Sequence, residues 1–165
     1  MANYINFFAY DTLILPEVFE KHGFQARNRF SVTLSAYKMV FHKIPADPSQ
    51  YPEGVGLPTI VPTESNLGMM EGIMYEIDES YLPRLDAYYG YPEEYQRKKV
   101  RLTKHDFTFV NGIVYIAQVE KTNPKLLPCQ AQLDEYRPAR KILSKLYLSR
   151  LVTQATVEEP NKRRP

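Results

Sequence analysis

Two tyrosine-containing segments constrain the fold of this chain most strongly. In the first, an apolar run at residues 5–9 stops at the turn residues Tyr10-Asp11-Thr12, a pattern typical of a buried strand. In the second, Asp78 stands where a helix N-cap is expected, Leu82 and Leu85 follow on one face, and the segment ends in Tyr-Tyr-Gly-Tyr-Pro. Together the two patterns predict a domain of mixed α and β structure.

Length and composition indicate a single soluble domain. The chain has 165 residues, of which 44% are hydrophobic and 13% aromatic, so it can bury one sizeable core and is not globally disordered. It contains 13 tyrosines and no tryptophan, and tyrosine suits a half-buried sheet or the wall of a polar pocket. We expect one domain over residues 1–152, followed by a polar tail at residues 153–165.

Charge, hydropathy and cysteine content argue against several kinds of partner and compartment. A formal net charge of +2 is too small to indicate a nucleic-acid partner, and no apolar run is long enough to span a bilayer. The single cysteine, Cys129, cannot form an intrachain disulfide, which fits a reducing compartment. No basic segment precedes the first apolar run, so a signal peptide is not expected. We predict a cytoplasmic protein that contacts neither nucleic acid nor membrane.

Metal and cofactor signals are missing from the sequence. His22, His42 and His105 lack the spacing of metal ligands, and no Gly-rich phosphate loop or Gly-x-Ser-x-Gly motif occurs. We therefore expect neither a metal nor a cofactor. No predicted helix begins at Cys129 to stabilise a thiolate, so this side chain is interpreted as a buried bystander.

The remaining elements follow from periodicity and turn signals. Residues 45–56 are rich in Pro, Asp, Ser and Gly and are predicted to form a loop. A turn near His105-Asp106 is preferred to one at Asn111-Gly112, which leaves Gly112 at a bulge or a close approach. One helix is predicted over residues 139–151, where Ile142, Leu143, Leu146 and Tyr147 recur at helical spacing. Strands are predicted at residues 31–42, 59–61, 73–77, 95–103 and 107–118.

Both opening segments resemble the signature motifs of the γ-glutamylcyclotransferase-like superfamily, which includes the AIG2-like proteins. Tyr10-Asp11-Thr12 resembles the Tyr-Gly-Ser or Tyr-Gly-Thr at the end of that family's first strand, and residues 85–90 resemble its Leu-Asp-x-x-Glu-Gly motif. Weaker resemblances at residues 56–62, 72–77 and 95–100 follow in the family's order. The resemblance covers about residues 4–127. Past Pro128 it is poor, because Gln132 stands where the family has Tyr.

The resemblance implies a fold and a chemistry. The fold is α+β, a small mixed β-barrel with flanking helices. In the family's reaction, the α-amine of a γ-glutamyl group attacks its own γ-carbonyl, and a Glu carboxylate acts as acid and base while backbone N–H groups bind the substrate. Carried over to this chain, the substrate-binding residues are Tyr10, Asp11, Thr12, Leu13 and Tyr95, and the acid/base position is that of Tyr89.

Two departures change what this chemistry can be. Tyr89 replaces the Glu, and a phenol titrates near 10, so it is a poor base at neutral pH. Asp11 replaces the Gly, and its charge disfavours a substrate carboxylate while favouring an amine or hydroxyl. The expected reaction is therefore not standard γ-glutamyl cyclisation. The catalytic candidates are Tyr89, Asp11, Glu93 and Glu94, with Glu71 as a further carboxylate that could compensate.

Three interpretations stay open from the residues. The favoured one is a divergent enzyme that acts on a small amide- or amine-bearing molecule by acid/base-assisted acyl rearrangement. The second is a non-catalytic protein that binds a small molecule in the same pocket. The third is an interaction protein whose pocket is filled by tyrosine rings. Glu93 and Glu94 could equally be solvated loop charges, and Asp11 could be a turn residue.

Overall fold

The computed structural model of the chain describes residues 3–64 and 67–158. The strands are β1 (Tyr4–Ala9), β2 (Asn28–Ser35), β3 (Tyr37–Lys43), β4 (Leu57–Pro62), β5 (Met69–Asp78), β6 (Tyr95–Lys104) and β7 (Phe109–Ala117). The α-helices are α1 (Pro16–Lys21), α2 (Leu82–Tyr89), α3 (Gln130–Asp134) and α4 (Lys145–Val152). Short 3₁₀ turns at Thr12–Ile14, Pro48–Gln50, Glu79–Tyr81, Val119–Lys121 and Arg137–Lys141 connect several of them.

Five of the strands close into a barrel in the order β1-β5-β2-β6-β7. β1 is antiparallel to β5, with Phe7 opposite Tyr75, and it closes the barrel through a parallel pairing of Phe7 with Ile113 on β7. β6 and β7 form the predicted hairpin, from Tyr95 opposite Ala117 to Thr103 opposite Phe109. The predicted fold class, a small mixed β-barrel with flanking helices, is confirmed.

The alternation of side chains along the barrel strands separates two buried clusters. Phe8 packs with residues from β2, β5, β6 and β7, among them Val32, Met74, Leu102 and Val114, which places this cluster inside the barrel. The neighbouring Phe7 belongs to a second cluster that also contains side chains from α1, α2, α3 and α4. This second cluster joins the barrel to the helices, and the cavity described below lies beside it.

The predicted single strand over residues 31–42 is wrong. Ala36 has φ of 68°, its N–H donates to Gly68 O, and the chain divides there into β2 and β3. β2 stays in the barrel, whereas β3 pairs with β4 as a separate two-stranded sheet. The buried positions are even-numbered in β2 and odd-numbered in the second half of β3, so the alternation changes phase at this turn.

Several local predictions are confirmed. The Asp78 carboxylate accepts from Ser80 N–H at 2.9 Å and caps the turn that leads into α2. The hairpin turns near His105-Asp106, and a Cβ on Gly112 would lie 3.2 Å from Asn6 O, which is the expected close approach. Within the described residues, no helix is long and apolar enough to cross a membrane.

The C-terminal part differs from the prediction of one helix over residues 139–151. A 3₁₀ turn ends at Lys141, and α4 begins only after Ser144, whose Oγ caps it by accepting from Tyr147 N–H. The Glu71 carboxylate fixes this break because it accepts from both the N–H and the hydroxyl of Ser144, at 2.7 and 2.5 Å. Beyond α4, Val157 N–H donates to Pro128 O at 3.0 Å, so the first part of the predicted tail contacts the domain.

Gly72 on β5 lies where the packing leaves no space for a side chain. A Cβ there would lie 2.3 Å from Ala9 O and 2.6 Å from the Phe8 ring. Gly72→Ala should therefore push the end of β1 outward and lower the free energy of unfolding by about 1–3 kcal/mol, the usual cost of overpacking. Urea unfolding measures this loss. Gly112→Ala is the matched control, since its nearest contact is 3.1 Å, and an equal loss in both variants would contradict the packing argument.

Candidate functional site

A cavity of about 590 Å³ opens where the barrel, α2, α3 and the β3–β4 sheet meet. Its wall is mostly aromatic and polar. The lining residues are Asp11, Thr12, Phe41, Gln50, Tyr51, Pro52, Leu57, Pro58, Tyr88, Tyr89, Tyr95, Cys129, Ala131, Gln132, Glu135 and Tyr136. A volume of this size is typical of small-molecule sites.

Asp11 reaches this cavity from the end of β1. It has φ of −90° and caps the 3₁₀ turn Thr12–Ile14, its Oδ1 accepting from Leu13 N–H at 3.1 Å. A carboxylate is a common cap because it satisfies a free backbone donor. Asp11 is only 8% exposed, and its other oxygen is left to interact with the cavity wall.

Tyr89 reaches the same point from the end of α2. It lies one helical turn after the buried Leu85 and therefore on the same face, and α2 stops at Gly90, which has φ of 69°. The Tyr89 ring stacks on Tyr115 at 4.4 Å and meets Phe7 edge-on at 6.2 Å. The Tyr89 hydroxyl donates to Asp11 Oδ2 at 2.8 Å, so the two residues form a buried Asp–Tyr pair.

Burial determines the protonation of this pair. Loss of solvation raises the pKa of the Asp11 carboxyl above its ordinary value, although hydrogen bonds from Tyr89 and Leu13 oppose the shift. Burial, and then the charge of Asp11, hold the pKa of Tyr89 well above its ordinary value. Tyr89 is therefore a neutral hydrogen-bond donor, and Asp11 is the titratable member of the pair.

A second set of hydrogen bonds holds the rings around the pair. The Tyr115 hydroxyl donates to Asp86 Oδ1 at 2.6 Å, which fixes the ring that Tyr89 stacks on. The Tyr95 hydroxyl donates to Pro58 O at 2.6 Å, and the Tyr95 ring meets Tyr89 edge-on at 5.3 Å. Two hydrogen-bonded rings, Tyr115 and Tyr95, therefore hold the Tyr89 ring in position.

The predicted substrate-binding residues do not all reach the cavity. Asp11, Thr12 and Tyr95 line it. Tyr10 packs in the barrel interior, and its hydroxyl donates to Tyr115 O at 2.6 Å. Leu13 is buried in the core cluster, its N–H donates to Asp11, and its O accepts from the Tyr75 hydroxyl.

The carboxylates proposed to compensate for the missing Glu lie elsewhere. Glu93 is exposed, and neither it nor Glu94 is part of the cavity wall. Glu94 accepts from the buried Lys43 at 2.7 Å, and this contact lowers the pKa of Glu94, which is the opposite of what an acid/base carboxyl needs. Glu71 caps α4 through Ser144. Asp11 is therefore the only one of these carboxylates that lines the cavity.

The segment after Pro128 supplies wall residues that sequence reasoning did not identify. Cys129 does begin a helix, contrary to expectation: it is the N-cap of α3, and its N–H donates to Gln132 Oε1 at 2.8 Å. Gln132 also donates to Gly56 O at 2.9 Å. Tyr136, four residues after Gln132 and just beyond the end of α3, lies against Phe41. A tyrosine four residues after the family's Tyr position is the sequence signal from which Tyr136 could have been predicted to line the cavity.

Solved structures with the same architecture identify the class of fold. A structure described as gamma-glutamyl cyclotransferase has a TM-score of 0.80 and 17% identity, covering 96% of this chain and 92% of its own. A protein from Homo sapiens described as uncharacterized protein loc79017 has a TM-score of 0.77 and 18% identity, covering 94% and 90%. A yeast gamma-glutamyl cyclotransferase specific to glutathione has a TM-score of 0.63 and 13% identity, covering 90% and 94%. The architecture is the γ-glutamyl cyclotransferase fold.

A match between the sequence and a protein-family model shows the family. Residues 7–141 match the family described as gamma-glutamyl cyclotransferase, AIG2-like, and the chain belongs to it. The match continues well past residue 127, so the expectation that the resemblance fades at Pro128 is wrong. Among curated proteins, none matches the chain significantly. In the described part of the chain, no three His, Cys, Asp or Glu side chains cluster as a metal site requires.

Removing the Tyr89 hydroxyl should change the titration of Asp11. Its donated bond lowers the pKa of Asp11, so Tyr89→Phe should raise that pKa further. Loss of a hydrogen bond to a charged group should also lower stability by about 1–3 kcal/mol. Carboxyl ¹³C shifts of Asp11 followed against pH measure the first effect. Tyr95→Phe is the control, since its hydroxyl bonds Pro58 O instead. An unchanged Asp11 titration in Tyr89→Phe would contradict the pairing.

Proposed function

We propose that this protein is a divergent γ-glutamylcyclotransferase-like enzyme in which Asp11 replaces the family's Glu as acid and base. The substrate is a small molecule that carries an amine and an amide. The observation that carries the proposal is the buried Asp11 carboxylate at the cavity wall, 2.8 Å from the Tyr89 hydroxyl. In the motif resemblance the family's Glu corresponds to Tyr89, so the proposed base is the hydrogen-bonded neighbour of that position.

The proposed reaction is an intramolecular acyl rearrangement. A neutral amine of the bound substrate attacks its own amide carbon, and Asp11 takes a proton from the attacking nitrogen as the new C–N bond forms. Asp11 then returns this proton to the leaving nitrogen as the old C–N bond breaks, so the products are a cyclic amide and a free amine. A carboxyl with a raised pKa is suited to both transfers near neutral pH.

Tyr89 has a positioning role in this scheme. Its neutral hydroxyl donates to Oδ2 and so holds the Asp11 carboxylate in one rotamer. Because Oδ1 is held by Leu13 N–H, each oxygen keeps one free lone pair for the substrate. A tyrosine that donates to the base cannot itself take the proton from the amine.

The second candidate is ligand binding without turnover. It is favoured by the same two hydrogen bonds, because a carboxylate that accepts from both Tyr89 and Leu13 is less basic than a free one in the same cavity. The open volume of about 590 Å³ speaks against the third interpretation, a pocket filled by its own tyrosine rings.

Asp11→Asn should separate the two candidates. It keeps the size of the side chain and removes the base, so turnover should fall by about 10²–10⁴-fold while the fold is retained. A library of small amine-bearing amides, analysed by mass spectrometry for cyclised product and released amine, provides the substrate and the assay. In the wild type, kcat/KM should rise with pH through the pKa of Asp11, which lies above its ordinary value of about 3.9. Turnover that survives in Asp11→Asn would exclude Asp11 as the base.

Ordinary γ-glutamyl compounds should not be efficient substrates. Their α-carboxylate would lie near the negative charge of Asp11, which disfavours binding. Glutathione and a panel of γ-glutamyl amides, assayed for 5-oxoproline, test this expectation. Robust turnover would mean that the carboxylate of the substrate is accommodated despite Asp11, and Asp11→Gly would then be compared for a gain or loss of rate.

A further inference from the structure

The charges on the cavity wall are all of one sign. Among the described residues that line it, none is Lys, Arg or His, whereas Asp11 and Glu135 are carboxylic acids. Asp11 is 8% exposed and lies on the buried side, and Glu135 is exposed. A ligand that enters this cavity therefore passes one carboxylate and ends beside another.

The wall is also rich in aromatic faces. Six of its residues carry aromatic rings, namely Phe41, Tyr51, Tyr88, Tyr89, Tyr95 and Tyr136. The face of an aromatic ring attracts a cation through its quadrupole, and the attraction grows when water is excluded. Aromatic rings together with carboxylates are the surroundings that stabilise an organic ammonium group.

Tyr136 adds an unsatisfied polar group to this wall. It is 1% exposed, and within the described part of the chain its hydroxyl has no hydrogen-bond partner. Buried polar groups are almost always bonded, and one left unbonded costs stability. Because Tyr136 lines the cavity, a ligand N–H that reaches its hydroxyl oxygen would remove that cost.

We propose that the cavity is built for an organic ammonium ligand, with Asp11 as its counter-charge and Tyr136 as a further ligand-binding residue. This inference rests on the proposed function and names the class of substrate that the same site takes: the amine binds in its ammonium form, and it loses one proton to water before it attacks as the neutral amine of the proposed reaction. Asp11 keeps one lone pair on each oxygen, so it can accept from the ammonium while still bonded to Tyr89 and Leu13. An anionic ligand would meet two carboxylates and no cation on the described wall, since Lys43 behind the Tyr95 ring is paired with Glu94, and a neutral alcohol would leave Asp11 unpaired.

Three matched probes test the charge preference. Benzylammonium, benzyl alcohol and benzoate share one apolar ring and differ in the group that would face Asp11. Isothermal titration calorimetry with the wild-type chain should give the tightest binding for benzylammonium and the weakest for benzoate. Absence of benzylammonium binding, or equal or tighter binding of the alcohol or benzoate, would overturn the proposal.

Tyr136→Phe tests the ligand-binding role of the hydroxyl separately. Removing an unbonded buried hydroxyl should leave the Tm of the ligand-free protein unchanged or raise it, while benzylammonium binding weakens by about 5–10-fold through loss of one hydrogen bond. Tyr75→Phe is the contrast, because its hydroxyl donates to Leu13 O at 2.7 Å and its ring is not part of the cavity wall. That variant should lose stability and keep most of its binding.

The outcomes distinguish this inference from the function it rests on. A lowered Tm with unchanged benzylammonium binding in Tyr136→Phe would show that the hydroxyl has a structural role and overturn its assignment. Asp11-dependent turnover without ammonium preference would overturn the substrate class and leave the acid/base role of Asp11 standing. Selective ammonium binding without any turnover would support the substrate class and contradict the enzymatic proposal.

Discussion

The position of β1 determines most of this structure. One edge of the strand pairs antiparallel with β5 and the other pairs parallel with β7, so the barrel closes on it. One face of the strand fills the barrel through Phe8, and the other carries Phe7 into the cluster shared with the helices. Because both edges and both faces of β1 are paired or packed, the turn that follows the strand has little freedom. Asp11 is therefore held at the cavity by the same contacts that close the barrel.

Burying that carboxylate costs free energy, and its partners reduce the cost. An unpaired charge away from water is strongly unfavourable. Asp11 accepts from Tyr89 and Leu13, yet burial still raises its pKa. A glutamate at the position of Tyr89 would place a second carboxylate against the first, and two carboxylates in contact cannot both stay ionised. Asp11 and Tyr89 therefore suit each other. Asp11 would be unfavourable beside the family's Glu at position 89, and the Tyr89 hydroxyl would lose its acceptor beside the family's Gly at position 11.

Local signals made much of the barrel predictable. A capped helix start at Asp78 and the turn near His105 depend on a few adjacent residues, and both were found. The breaks at Ala36 and Ser144 were missed because distant groups fix them, namely Gly68 O and the Glu71 carboxylate. The family resemblance assigned Asp11 and Tyr89 to one site, but their direct hydrogen bond requires the packing of α2 on the barrel. The wall residues after Pro128 were not placed from sequence, since long-range contacts such as the bond from Gln132 to Gly56 O hold α3 at the cavity.

Two polar groups on the wall of the ligand-free cavity do not stabilise the folded state. Asp11 is a buried acid with a raised pKa, and Tyr136 is a buried hydroxyl with no partner in the described part of the chain. Both features weaken the ligand-free protein, and both become favourable when a hydrogen-bond-donating cation occupies the cavity. A ligand that binds only the folded state stabilises it. A cation in this cavity would therefore stabilise the protein by more than its contact area alone predicts. Two unfavourable polar groups on one cavity wall are therefore explained better by ligand binding than by the stability of the ligand-free fold.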